Sequence, residues 1–295
     1  MNAPPVSPRS ATGPALPVAA LLAAMVSFQL GASVATRLFP AVGAEGTTAL
    51  RVGLSALVLA AALRPWRNLP PRDRWPVLAI YGAALGLMNL LFYLALRTVP
   101  LGVAVALEFT GPLAVALAGS RRPLDVLWLA MAAGGLALLL PIGDAATRID
   151  PPGALLALGA GGCSAVYMIA GKRAGADGGA QAAAIGMVFA AAVTVPVGIA
   201  HAGAALFAPA VLLAGLGVAL LSSAVPYVLE IVALTGLPSR VYGTLVSLEP
   251  AVGAVAGFLL MGQRLTAGEW LAILAIVVAS AGATLTLQPT AEATA

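Results

Sequence analysis

"LALRTVPLGVAVALEFTGP", residues 94–112, and "VALTGLPSRVYGTLVSLEP", residues 232–250, follow one plan. "LALRTVP" (94–100) aligns with "VALTGLP" (232–238), and each is followed 12 residues later by another proline, Pro112 and Pro250. The offset is 138, close to half of the 295 residues. A unit repeated once at that offset divides the chain into two halves. If each half crosses a membrane an odd number of times, the second copy is inverted relative to the first. Inverted repeats recur in secondary transporters, which bind substrate near the bilayer midplane between the halves.

Composition supplies the membrane. The chain is 61% hydrophobic and 9% charged, with a mean hydropathy of +1.01. A soluble domain carries roughly 25% charged residues, so this sequence reads as an all-α polytopic membrane protein. A bilayer core of about 30 Å takes about 20 apolar helical residues. Punctuated by Pro, Gly and charge, the chain divides into ten such segments, near 16–36, 44–63, 76–96, 100–119, 123–141, 151–171, 181–200, 207–234, 241–262 and 267–287. The expected organisation is a mobile tail (1–15), a first five-helix repeat (16–145), an inverted second repeat (146–287) and a C-terminal tail (288–295). No short apolar core with a cleavage site precedes the first full-length span, so the N-terminus does not read as a cleavable signal.

Basic residues set the orientation. With the N-terminus inside, Arg9, Arg64, Arg67, Arg72, Arg74, Arg121, Arg122, Lys172, Arg173 and Arg240 are cytoplasmic, against Arg37, Arg97, Arg148 and Arg264 on the far side. Both termini are therefore expected in the cytoplasm. The sequence pI of about 9.7 reflects these loop arginines, so no nucleic-acid partner is expected. Cys163 is the single cysteine, too few for a disulfide or a cysteine metal site.

Three stretches carry a family resemblance: "VPLGVAVALEFTGPLAVAL" (99–117), "SRRPLD" (120–125) and "GTLVSLEPAVGAVAG" (243–257). With them the chain resembles the drug/metabolite transporter superfamily with paired EamA-type repeats, over about residues 16 to 287. Within it, the likeness is to bacterial inner-membrane exporters of the threonine and homoserine class. The resemblance implies ten helices, a central cavity between the halves, segments five and ten at the periphery, and export of small amino acids driven by the proton gradient. It supplies no binding set, so candidate residues come from physical chemistry alone.

An ionisable side chain at the bilayer centre costs on the order of 2.5–3.5 kcal/mol by insertion scales. Four lie within the expected spans: Arg51, Glu108, Glu230 and Glu249. Gly111 and Pro112 share a helical face with Glu108, and Glu249 directly precedes Pro250. Proline removes a backbone hydrogen bond, which a membrane tolerates where protein or cavity water satisfies the freed carbonyl. "EFTGP" and "LEP" are thus expected to be cavity-lining helix breaks at Gly111, Pro112 and Pro250; a packing kink beside a buried glutamic acid is the plainer reading. Glu230 extends a face with Ser223 and Tyr227. Gln29, Ser33 and Thr36 repeat that spacing in segment one. Asn89 with Tyr93, Ser164 with Tyr167, and Tyr242 seven residues before Glu249 complete the polar set. Such hydroxyls also serve as ordinary interhelical hydrogen bonds. Arg51 can fork onto a substrate carboxylate, snorkel outward, or pair with Glu45.

Every Asp (73, 125, 144, 150 and 177) lies at a segment end or in a loop, and no HExxH or GxSxG motif appears. His201 lacks partners at ligand spacing. No enzyme, metal or cofactor is therefore expected. The expectation is a secondary active transporter, monomer or homodimer, in contact with lipid, protons and a small amino acid. An exporter of another small metabolite or drug on the same fold is the alternative.

Overall fold

The computed structural model describes residues 15–67, 69–118, 123–139, 150–174 and 179–286. The tails apart from residue 15 and the boundary at 145/146 lie outside them, as do Arg9, Arg121, Arg122 and Arg148. All regular structure among the described residues is helical. The helices are α1 (Ala15–Thr36), α2 (Phe39–Leu63), α3 (Trp75–Ala95), α4 (Leu101–Ala118), α5 (Pro123–Leu139) and α6 (Pro151–Ala174), then α7 (Gly179–Ala202), α8 (Pro209–Ala219), α9 (Val225–Gly236), α10 (Ser239–Val246), α11 (Glu249–Met261) and α12 (Ala267–Thr286). A π-helical turn, Leu220–Ala224, joins α8 to α9. Helix occupies each expected segment, with 207–234 divided into α8 and α9 and 241–262 into α10 and α11.

Seven helical stretches are long and apolar enough to cross a membrane, and shorter apolar stretches lie at Leu101–Val115, Val126–Leu139 and Pro209–Ser223. Leu57, Leu155, Leu213, Leu259 and Leu271 each present more than half of their surface outward. A soluble monomer rarely exposes contiguous apolar patches on that scale; hydrocarbon is the solvent that suits them. This is a polytopic membrane protein.

Local chemistry explains the helix ends. Prolines stand in the first turn of α2, α3, α8 and α11, where a missing N–H costs nothing. Asp150 accepts from the N–H of Gly153 at 3.0 Å and caps α6. Thr266 and Glu269 form a reciprocal capping box at α12: the Glu269 carboxylate accepts from the Thr266 N–H at 2.6 Å, and the Thr266 hydroxyl accepts from the Glu269 N–H at 3.2 Å. α2 starts earlier than the sequence suggests, at Phe39, and kinks at Gly43, where φ is +72°.

The helices pack as α2 on α7, α3 on α6 and α7, α4 on α6 and α11, α1 on α9 and α11, α2 on α8, and α5 on α12. Between α4 and α6 the backbones nearly touch. A Cβ at Gly111 would overlap the Gly161 carbonyl, and one at Gly161 would lie 2.7 Å from the carbonyl oxygen of Glu108. Only glycine permits that approach.

Candidate functional site

Arg51 is buried midway along α2, with 8% of its surface accessible. One guanidinium nitrogen, Nη1, donates to Asn89 Oδ1 at 2.6 Å, and Nη2 donates to the backbone carbonyl of Ser222 at 3.2 Å. Phe28 and Tyr93 place their rings 5.4 and 5.3 Å from the cation, within the range of cation–π attraction. Asn89 is itself oriented, donating through Nδ2 to the carbonyl of Leu85 at 2.8 Å. Arg51 therefore neither snorkels nor pairs with Glu45. Glu45 faces Arg97 at 3.6 Å and His201 at 3.5 Å instead.

The Ser222 carbonyl is free because of Pro226. In a regular helix the N–H of residue 226 would bond it, and proline has none. The N–H of Val225 reaches back five residues to Leu220, leaving the Leu221 carbonyl without its helical donor as well. Ser27 of α1 fills that vacancy with a 2.7 Å hydroxyl bond. One π turn thus opens two carbonyls, which draw in Ser27 from α1 and Arg51 from α2.

Carboxyl groups gather beside this tie. Glu108 stands about 10 Å into α4, within electrostatic reach of Arg51 and Glu249. Glu249 interacts in turn with Glu230. Tyr242 interacts with Glu230, Glu249 and Tyr167. All three glutamates keep part of their side chains accessible. Residues from α2, α4, α6, α9, α10 and α11 therefore converge on one polar cluster holding three carboxyls and one guanidinium.

The expected helix breaks divide. α4 runs unbroken through Gly111 and Pro112, which corrects the expectation of a break there. Pro112 withholds a donor from the carbonyl of Glu108, four residues back, and Gly161 of α6 packs against that carbonyl. Thr110 closes onto the carbonyl of Leu107 at 2.6 Å. Around Pro250, α10 ends at Val246, a turn follows, and α11 begins at Glu249 with Pro250 in its first turn.

Gln29 is buried, its Oε1 3.5 Å from where a Cβ on Gly253 of α11 would lie. Tyr93 is fully buried, and its hydroxyl has no hydrogen-bond partner among the described residues. Tyr167 stacks on Tyr81 with centroids 4.9 Å apart. Thr36 bonds the carbonyl of Ser33 at 2.8 Å, an ordinary local role. The side chain of Tyr227 lies outside the described residues. Phe28, Tyr81 and the Ser222 carbonyl were missed. Pro226 was the one available signal, since a proline inside a span always frees the carbonyl four residues earlier. No group of three metal-capable side chains occurs among the described residues.

The sequence is 53% identical to the threonine/homoserine exporter RhtA of Salmonella typhimurium and 52% identical to that of Escherichia coli, each over 92% of both chains. The EamA-like transporter family matches residues 151–285. The chain belongs to this family. The chain is also 28% identical to the uncharacterized transporter YwfM of Bacillus subtilis, over 78% of this chain and 80% of that one. A crystal structure 23% identical in sequence superposes with a TM-score of 0.57, covering 90% of this chain and 98% of that one. That likeness shows the shared fold alone.

Proposed function

We propose that this protein is a secondary active transporter that exports small amino acids of the threonine and homoserine class across the bacterial inner membrane in exchange for protons. One observation carries the reading: 52–53% identity to threonine/homoserine exporters over 92% of both chains. The site chemistry agrees with it. A zwitterion needs a partner for each charge; Arg51 lies within electrostatic reach of Glu108, which is in reach of Glu249 and, through it, Glu230. Guanidinium forks suit carboxylates, and a carboxylate away from water requires a counter-charge or a proton. Competition of substrate ammonium and proton for one carboxylate is the simplest exchange mechanism. Glu108 is the first candidate for that role and Glu230 the second, with Gln29, Asn89, Tyr93, Tyr167, Tyr227 and Tyr242 as polar lining.

The same reading takes the chain as ten spans in two inverted five-helix repeats, 16–145 and 146–287, with both termini cytoplasmic. The packing supports it. Take α8 and α9 as segment eight, α10 and α11 as segment nine. Exchanging each segment with the one five places on then maps the most extensive helix contacts onto one another. The α3–α6 contact maps onto α9–α1, α4–α6 onto α11–α1, and α3–α7 onto α8–α2; α2–α7, α4–α11 and α5–α12 map onto themselves. Flux of radiolabelled amino acids through the reconstituted protein tests the function. Threonine or homoserine must move faster than in protein-free vesicles, and a substrate of another class moving in their place supports a different small-metabolite exporter.

A further inference from the structure

We propose that the α2–α3 connection and the end of α6 form a binding surface for the headgroups of anionic phospholipids. Four helix ends meet on one side of the bundle: the C-termini of α2 and α6 and the N-termini of α3 and α7. Among the described residues there, Arg64, Arg67, Arg72, Arg74, Lys172 and Arg173 are set against a single acid, Asp73. All six except the half-buried Arg74 are exposed. Arg64 lies 13 residues beyond Arg51 on α2, about 20 Å along the helix, so this surface is separate from the central cluster.

Loop arginines alone are ordinary in a membrane protein; three observations make these a site. First, the charges are held together. The Pro65–Arg67 turn packs on α7, with Pro65 buried. Trp75 Nε1 donates to the Pro70 carbonyl at 3.3 Å and sets its ring edge-on to Phe189 of α7, with centroids 6.1 Å apart. Arg74 Nη1 donates to the carbonyl of Arg173 at 3.3 Å, which joins the connection to the end of α6. Second, large apolar groups stand outward among the charges: Trp66 exposes 59% of its surface and Leu69 61%. Both lie outside the spans. The headgroup boundary takes a Trp ring and an aliphatic chain alongside basic residues, and water does not. Third, Arg64 ends α2 at φ +47°, the one non-glycine residue with positive φ among those described. Glycine is the least costly residue at such a helix end. A guanidinium there supplies what glycine cannot, a fork of donors for a phosphodiester. Clustered positive charge selects an anion, and the exposed apolar pair selects one attached to hydrocarbon.

The test is brominated-lipid quenching of Trp66 emission in phosphatidylcholine vesicles, taken as the difference between full-length wild type and Trp66→Phe so that the other tryptophans cancel. At equal mole fraction, brominated phosphatidylglycerol is expected to quench that emission at least about threefold more than brominated phosphatidylcholine. Each basic residue near an anionic surface strengthens binding about fivefold. The triple variant Arg64→Gln, Arg67→Gln, Arg72→Gln is therefore expected to bring the ratio of the two lipids close to one. Salt of about 1 M, where the Debye length is about 3 Å, should do the same to wild type, which keeps the test valid if the triple variant does not fold. Equal quenching by the two lipids in wild type, or a preference that survives in the folded triple variant or at high salt, overturns the surface. Loss of the preference to inorganic phosphate but not to chloride at equal ionic strength assigns the cluster to a soluble anion and overturns the lipid. None of these results touches the exporter reading, which flux alone decides.

Discussion

Arg51 shows how a single charge is kept inside the bundle with no carboxylate at bonding distance among the described residues. Its donors go to an amide and a backbone carbonyl, and its faces go to two rings. That arrangement depends on planarity and on fixed donor directions, which lysine lacks. Arg51→Lys is therefore expected to raise the KM for threonine by about tenfold or more, with the protein still eluting as a folded species in detergent; wild-type KM would refute the role. The sequence announces that Arg51, Glu108, Glu230 and Glu249 matter, because four charges stand out in apolar spans. Their partners are less legible. Ser222 offers a backbone atom 171 residues away, and an aromatic face such as Phe28 has no polar signature. Glu45 misled for a related reason: proximity along α2 suggested Arg51, but residues six apart do not share a helical face, and the carboxylate turns to Arg97 and His201.

At the scale of elements, two proline-bearing stretches of like sequence build different structures. Pro250 begins a helix, and Pro112 is carried inside one. The sequence offers the same Gly/Glu–Pro signal in both places. What decides is the neighbour: Gly161 lets α6 lie against the carbonyl that Pro112 frees, so α4 continues. Gly111→Ala is accordingly expected to destabilise the protein by about 1–3 kcal/mol through overpacking, seen as a lower melting temperature in detergent. Gly134→Ala in α5 is the control, since a Cβ there meets nothing within 4 Å; equal melting temperatures would contradict the packing role. The π turn gives a second test. Pro226→Ala restores an N–H that competes with Arg51 for the Ser222 carbonyl, so threonine flux should fall severalfold in a protein that still folds. Undiminished flux would show that the freed carbonyl does not matter to transport.

For the molecule as a whole, the helical segments were legible because hydropathy and bilayer thickness leave few alternatives. The π turn and the division at Glu249 were not, because apolar composition continues through both. The proposed repeat draws on the 138-residue offset and on the exchange of the most extensive helix contacts. Topology can be checked directly: reporters fused after residue 68 or 121 should report cytoplasm, and those after 148 or 264 the far side. An odd number of crossings between 68 and 121 would break the inverted-repeat account. The central claim is that a carboxylate within the helix bundle exchanges a proton for a substrate ammonium. Its most direct measurement is threonine and homoserine flux in proteoliposomes with and without an imposed pH gradient, for wild type and Glu108→Gln, whose amide copies the neutral shape and cannot change charge. The account predicts gradient-driven flux in wild type and a loss of at least about tenfold in the variant. Wild-type gradient-driven flux and pH dependence in Glu108→Gln would contradict it and pass the coupling role to Glu230.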